Sequence, residues 1–398
     1  MKPARFFPFL LLLSLPTQAT TLPGFRIEQV ADVPGSLTSL VTDSHGTIYY
    51  TEQSGEIMRA GAVVPLAHVN TDASGDAGLL GLALIDDETA VVHYTTPMQA
   101  YHVVSRIDLR NGSESNIHTF VSDITNPGAS VSSEHHGGNP IFVDGTIYFG
   151  IGDFGIGRIA SDPAWNGGKL FRIDPDGTVT KFASGFRNPF DMAWDPAGKR
   201  VVLTDNGDVT DDEINVVPQS GGFFGWPCTA GDVYPPCDGA IPPLYSFPTV
   251  VAPTGIVRLS GANPLIKRGY LLGAYVTRAL YYIPDIDARP FPDPIVITMN
   301  DVAQVIDVTE SPTGEIYFAT RKAIYRLIPP PPGDCNGDGV VDFNDLTALQ
   351  LQLAAGDGVP AYRASSWGCD ADADGVITWN DYGVLRKSLI TRTRAVRH

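Results

Sequence analysis

The sequence predicts an all-β six-bladed β-propeller followed by a small C-terminal α-helical module. Three observations predict it: a turn-and-strand phrase that recurs through most of the chain, a proline run that ends the recurrence, and two Asp-rich loops beyond that run, each leading into an apolar helical stretch. With 398 residues, 43% of them hydrophobic, the chain is too long for one ordinary core, so two folded units are expected.

The phrase first appears as Asp43-Ser44-His45-Gly46-Thr47-Ile48-Tyr49-Tyr50, a turn feeding a strand. It returns as Asp144-Gly145-Thr146-Ile147-Tyr148-Phe149, as Asp195-Pro196-Ala197-Gly198 before Val201, and as Pro312-Thr313-Gly314-Glu315-Ile316-Tyr317-Phe318. Weaker versions stand at Asp87–Val92 and Arg268–Leu272. A second strand ending in a basic residue often follows, as in Gly55–Arg59, Gly168–Arg172 and Ala323–Arg326. A spacing of about 50 residues is that of a propeller blade, and six phrases predict six blades across residues 20–328. A β-sandwich array also places turns before strands, but it does not repeat a whole multi-strand phrase. The 41 glycines and 32 prolines suit many short strands joined by turns.

The two ends read differently. In residues 1–19, Lys2 and Arg5 precede an apolar run, Phe6–Leu15, and then Thr17-Gln18-Ala19. That is the pattern of a secretory signal peptide, with an apolar stretch too short to span a bilayer. The expectation is a secreted or periplasmic protein without a membrane span. A net charge of −17 disfavours nucleic acid and anionic membrane as partners and suits cation binding. Residues 329–333, Pro329-Pro330-Pro331-Pro332-Gly333, read as an extended polyproline spacer. Residues 334–390 form the helical module, and 391–398 a basic tail carrying Arg392, Arg394 and Arg397.

The loops of the module have the spacing of EF-hand-like calcium sites. In residues 334–345, oxygen ligands fall at Asp334, Asn336, Asp338 and Asp345, with Gly339 at the sharp turn and the backbone carbonyl of Val340 next. Residues 370–381 repeat this with Asp370, Asp372, Asp374, Gly375, Val376 and Asp381. Calcium takes six to eight oxygens, and this spacing wraps them around one point. Helical stretches at Leu346–Leu353 and Tyr382–Leu389 follow the loops.

The four cysteines suit an oxidising compartment. Cys228 and Cys237 are close in a Pro/Gly-rich loop, which predicts a local disulfide. Cys335 and Cys369 each flank the first ligand of a calcium loop, where a disulfide would tie the loops together; two free thiols are the alternative.

A helix-pair EF-hand has an entering helix and usually Glu at position 12. Here position 12 is Asp and no helix precedes the first loop. From about residue 333 to 390 the segment therefore resembles the dockerin type I module. The resemblance implies calcium-dependent folding and a cohesin-type protein partner. It also implies that Phe343-Asn344 and Trp379-Asn380, at loop positions 10 and 11, help choose that partner. A calcium-stabilised cap without a partner is the alternative.

Several phrases of the body, in order, are Gly78-Leu79-Leu80-Gly81-Leu82-Ala83, His135-His136-Gly137-Gly138, Gly167–Gly177, Gly185-Phe186-Arg187-Asn188-Pro189, Asp205-Asn206-Gly207-Asp208, Asp211–Asn215 and Gly225-Trp226-Pro227. Together they resemble the soluble PQQ-dependent aldose dehydrogenases (glucose/sorbosone dehydrogenases), six-bladed propellers that oxidise the anomeric carbon of sugars. The resemblance implies His135 as general base and Arg187 as the cation beside the developing quinol oxygen. It implies Asn188 and Asp76 as cofactor neighbours, a catalytic calcium at the carbonyls of Gly207 and Asp208, and a second calcium near Asp212 and Glu213. A histidine near neutral pH is a natural base for a hemiacetal proton.

The chain departs from the family pattern at several cofactor contacts. Asp76 stands where a longer Gln or Glu is usual, Asn139 replaces an arginine, and the lysine position falls on Thr277 beside Arg278. An Arg-x-Arg-Asp phrase reads Gln304-Val305-Ile306-Asp307. Each lost charge-assisted hydrogen bond removes about 1.5–3 kcal/mol of cofactor binding. The reading is thus an exported PQQ-dependent oxidoreductase acting on an aldose. The alternative is a catalytically inactive propeller that binds carbohydrate or protein. A lactonase-type metal hydrolase ranks below both.

Overall fold

Six sheets of four or five strands form the blades of a β-propeller. The computed structural model describes residues 20–121, 134–228 and 237–395; the expected signal peptide lies outside them. The innermost strands are Leu37–Thr42, Leu79–Asp86, Ile141–Val143, Pro189–Asp195, Pro253–Arg258 and Val305–Glu310, one per blade. Each recurring phrase is the hairpin between this strand and the second one of its blade. The first phrase shows why such residues recur. Asp43 Oδ1 accepts the backbone N–H groups of His45 and Thr47 at 2.9 and 2.8 Å, and Gly46 takes a φ of 81°, which costs glycine nothing.

The ring closes through its N-terminal segment. Arg26–Asp32 pairs antiparallel with Ala323–Ile328 of the last blade, and Thr20–Thr21 pairs with Ile295–Met299 of the blade before it. Glu28 and Arg326 face each other across this seam in an ion pair of 2.6 Å. Polar side chains then staple neighbouring blades near the axis. Asp307 Oδ2 accepts the Leu40 N–H at 2.6 Å, Asp191 Oδ2 accepts the Ile256 N–H at 2.7 Å, and Thr254 Oγ1 donates to the Val305 carbonyl at 3.0 Å. Asn139 Nδ2 donates to Asp307 Oδ2 at 3.2 Å. All four side chains are buried, so each of these bonds satisfies groups that water cannot reach.

Beyond the propeller, helices Phe343–Ala355 and Trp379–Ala395 carry the module. Both exceed the expected helical stretches. The first begins early because Asp342 caps it, accepting from Asn344 N–H, while Asp345 reaches back to the Asp342 N–H in a capping box. The second runs into the segment read as a basic tail. Leu349, Leu353, Ile377, Leu385 and Leu389 form a small core beside a Cys335–Cys369 disulfide; Cys228 and Cys237 are also bonded.

The proline run does not hold this module at a distance. Its end is a turn, with the Asp334 N–H on the Pro331 carbonyl at 3.0 Å. Trp367, 2% exposed, packs edge-on against Phe25 and Tyr282 of the propeller, with ring centroids 5.3 and 5.0 Å apart. The Lys267 ammonium of the propeller donates to the Ala373 carbonyl inside the second calcium loop. An extended spacer expected from four prolines is overridden by the apolar area that Trp367 removes from water.

Candidate active site and calcium loops

One end of the propeller axis opens into a cavity of about 310 Å³, to which every blade contributes. Leu37, Leu80, Phe190 and Ile306 give it apolar walls, and Gln53, Asp76, Asn188 and Arg321 give it polar ones. Gly137, two residues after His135, also lines it.

His135 is held from both ends. Its backbone has a φ of 58°, and its N–H donates to Asp76 Oδ2 at 3.2 Å. Its Nδ1 lies 2.7 Å from Asp153 Oδ1. Asp153 is almost fully buried, and its other oxygen accepts the Trp226 indole N–H at 2.7 Å. An ionised carboxylate only accepts, so Nδ1 carries the proton and Nε2 keeps a lone pair. The imidazole is thereby fixed in the tautomer a general base requires.

The next loop is pinned by a second buried acid. Asp205 accepts the backbone N–H groups of Arg187 and Asn188 at 3.0 and 2.6 Å, and burial followed by the nearby Glu213 pushes its carboxyl well above the usual range. Asn188 Oδ1 accepts the Gly137 N–H at 3.0 Å, and the Arg187 carbonyl accepts the Asp153 N–H at 2.8 Å. His135, Arg187 and Asn188, separate in sequence, are thus joined through Asp153 and Gly137. The Arg187 guanidinium lies over the Trp226 ring, 5.7 Å from its centroid, donates to the Asn206 carbonyl at 3.2 Å and stands 3.6 Å from Asp208.

The other expected residues are distributed as follows. Asp212 accepts three backbone N–H groups, from Gly207, Val251 and Ala252, at 2.9, 2.7 and 2.7 Å. Glu213 is buried and accepts from Asn215 at 2.9 Å. Thr277 does not line the cavity; its hydroxyl receives the Tyr281 O–H at 3.2 Å, while Arg278 is exposed. Tyr275, two residues earlier, reaches the cavity instead.

Residues not anticipated from sequence complete the arrangement. Asp153 had a local signal, an acid between glycines at a strand end in Ile151-Gly152-Asp153-Phe154-Gly155. Arg321 had none, since it lies in a short turn between outer strands. Three buried histidines also form a chain behind the site. His93 Nδ1 donates to the Gly138 carbonyl at 3.0 Å, His93 Nε2 meets His102 Nδ1 at 3.0 Å, and His102 Nε2 meets His136 Nδ1 at 3.4 Å.

The calcium loops are near copies. Asp334 accepts from Gly337, Asp338 and Gly339, at 2.9, 3.1 and 2.9 Å, and Asp370 from Asp374 and Gly375, at 3.0 and 2.8 Å. Asp345 takes the amides of Asn336 and Asp342, and Asp381 those of Asp372 and Thr378. The amides of Val340 and Val376 bond Asp338 and Asp374 at 2.8 Å each. Carboxylate oxygens of Asp370, Asp372 and Asp374 come within 4.8 Å of one another. Burial, then Asp381 and Asp374, pushes the Asp370 carboxyl up to about 6. All-oxygen donors crowded against their own repulsion fit a hard divalent cation.

A six-bladed propeller with a carboxylate-held histidine beside an axial cavity, joined to a two-loop calcium-type module, defines the class. The family follows from comparison. The family model of glucose/sorbosone dehydrogenase matches residues 26–328, and the chain belongs to that family; residues 332–390 match the dockerin type I domain. Among solved structures, the PQQ-bound aldose sugar dehydrogenase of Streptomyces coelicolor is 21% identical, with a TM-score of 0.63 over 77% of this chain and 99% of that one. A putative glucose dehydrogenase of Thermus thermophilus is 22% identical, with a TM-score of 0.63 over 77% and 100%. The apo aldose sugar dehydrogenase of Escherichia coli is 19% identical, with a TM-score of 0.65 over 76% and 99%. An uncharacterized Synechocystis protein, slr1608, is 27% identical over 202 residues, 44% of this chain and 48% of the relative, so the chain spans about half the length of this curated relative.

Proposed function

We propose that the propeller is a PQQ-dependent dehydrogenase that oxidises the anomeric carbon of an aldose to a lactone, and that the dockerin module tethers it outside the cell. The observation that carries this reading is the His135–Asp153 contact of 2.7 Å beside the axial cavity. The donor set of that cavity also fits the cofactor. Apolar walls suit a flat ring, and Arg321 and Asn188 suit its carboxylates and carbonyls.

PQQ, when bound, supplies the two-electron acceptor for the hydride from C1. His135 Nε2 takes the proton of the anomeric hydroxyl, and Asp153 stabilises the imidazolium that results. Arg187 places positive charge near the reacting oxygen, and Trp226 keeps that guanidinium and Asp153 in place. Asp76 anchors the strained backbone of His135. The carbonyls of Gly207 and Asp208 would hold a calcium ion beside the cofactor, and the Asp212–Glu213 segment a second one.

Two disulfides and the dockerin module support an extracytoplasmic setting, and among the described residues no helix is long and apolar enough to span a membrane. A cohesin-type protein is the partner the module would take. Ile306 in the cavity wall, in place of a cation, favours a second reading, a propeller that binds glycan without redox chemistry.

Titration of the calcium-loaded protein with PQQ, followed by calorimetry and quinone absorbance, separates the two. The dehydrogenase reading predicts micromolar or tighter binding. No binding in calcium would leave the glycan-binding propeller.

A further inference from the structure

Arg321 is the sole cation among the described residues that line the axial cavity. Its backbone is fixed where the ring closes, its carbonyl accepting the Leu37 N–H of the first blade at 3.0 Å. Its side chain is fixed as well. Nη1 donates to Ser36 Oγ at 2.9 Å and to Gln53 Oε1 at 3.4 Å, and the guanidinium lies over the Tyr275 ring, 5.9 Å from its centroid.

These partners are all neutral. Among the described residues no carboxylate forms an ion pair with Arg321, and its Nε and Nη2 donors have no protein partner. A half-buried guanidinium held by neutral groups, with donors left over, is arranged for an anion that the protein itself does not supply. Gln53 and Tyr275 fix the plane of that fork at the cavity edge. The apolar walls of Leu37, Leu80 and Ile306 make the space beside it suit a flat ring rather than a hydrated ion.

The same blade accounts for the charge. Its inner strand, Val305–Glu310, turns Ile306 toward the cavity, and the residue two before it is Gln304, so this strand brings no cation. The turn after its second strand, Ile316–Thr320, brings one from the side.

We propose that Arg321 is a carboxylate-binding residue of the axial cavity, and that its ligand is a planar, multiply carboxylated ring. The identity of that ring as PQQ rests on the dehydrogenase reading; the carboxylate site does not.

The test uses the full-length, calcium-loaded protein, as wild type, Arg321→Gln and Arg321→Lys. Calorimetry measures the affinity of each for PQQ, for PQQ trimethyl ester, and for benzene-1,3,5-tricarboxylate, with a thermal melt to establish folding. The proposal predicts that Arg321→Gln weakens PQQ binding about 10- to 100-fold, leaves the ester unchanged, and that Arg321→Lys recovers part of the loss. Unchanged PQQ affinity in Arg321→Gln overturns the proposal while leaving the dehydrogenase reading intact. If the wild type binds no PQQ, that reading fails and the tricarboxylate decides. Binding that Arg321→Gln abolishes supports the carboxylate site, and binding that is absent or independent of Arg321 overturns it.

Discussion

His135 and Asp153 meet at 2.7 Å, Nδ1 to Oδ1, with Trp226 closing the far side of the carboxylate. This contact decides which imidazole nitrogen is available for chemistry.

Replacing Asp153 by Asn reverses the proton assignment, because an amide N–H can donate to Nδ1 and move the ring proton to Nε2. Asp153→Asn is expected to lower kcat by about 100-fold or more with little change in KM. Steady-state rates with an aldose and an artificial acceptor measure this. An unchanged kcat in a folded variant would remove Asp153 from the mechanism.

The buried titratable groups predict a stability profile with two opposed components. Burial holds His93 at about 4 and His136 at about 3, and it also lowers His102 well below the usual imidazole range. The unfolded chain takes up protons on these rings near 6.5, so their contribution is full above that pH and declines as pH falls toward 4, by about 1.4 kcal/mol per pH unit for each ring. Burial instead raises Asp307 to about 7 and raises Asp191, which Asp307 also disfavours. The Asp307 contribution is present below about 3.8 and is lost as pH rises through 7, and that of Asp191 declines in the same direction. Between pH 4.5 and 6.5 the two slopes partly cancel. Asp307→Asn should therefore steepen the loss of stability on acidification, and His102→Gln should flatten it. Urea denaturation across this range in excess calcium, giving the same slope for wild type and both variants, would contradict the assignment.

Calcium removal should be felt beyond the dockerin module. Trp367 and the Lys267–Ala373 contact join the second loop to the propeller. Chelation is expected to lower helical circular dichroism and, with it, to shift Trp fluorescence toward the exposed range. Trp367→Ala should cost about 3–5 kcal/mol at this interface. Two independent melting transitions, with the propeller transition unaffected by chelator, would show that the module is merely tethered.

The fold was largely legible. Six hairpins announce themselves through turn chemistry such as Asp43 and Gly46, which is local, and the calcium loops are local as well. What sequence could not supply was geometry created by ring closure. Arg321 enters the cavity because the last blade meets the first, a contact of residues 285 apart at Ser36. Trp367 looks like part of a small module, yet it belongs to the propeller's apolar surface, which no spacing rule reveals. Asp153 lies two strands beyond the histidine motif, after Ile141–Val143 and Thr146–Ile151, and only the pairing of those strands places it against His135.

The central claim, removal of a hydride from C1 with His135 as base, is tested most directly by one rate comparison. Glucose and its C1-deuterated form are offered to PQQ-loaded wild type and to His135→Gln, with dye reduction as the readout. The account predicts a primary isotope effect in the wild type, and loss of dye reduction in His135→Gln without loss of PQQ binding. PQQ-loaded wild type that reduces no dye with any of a panel of aldoses would contradict it.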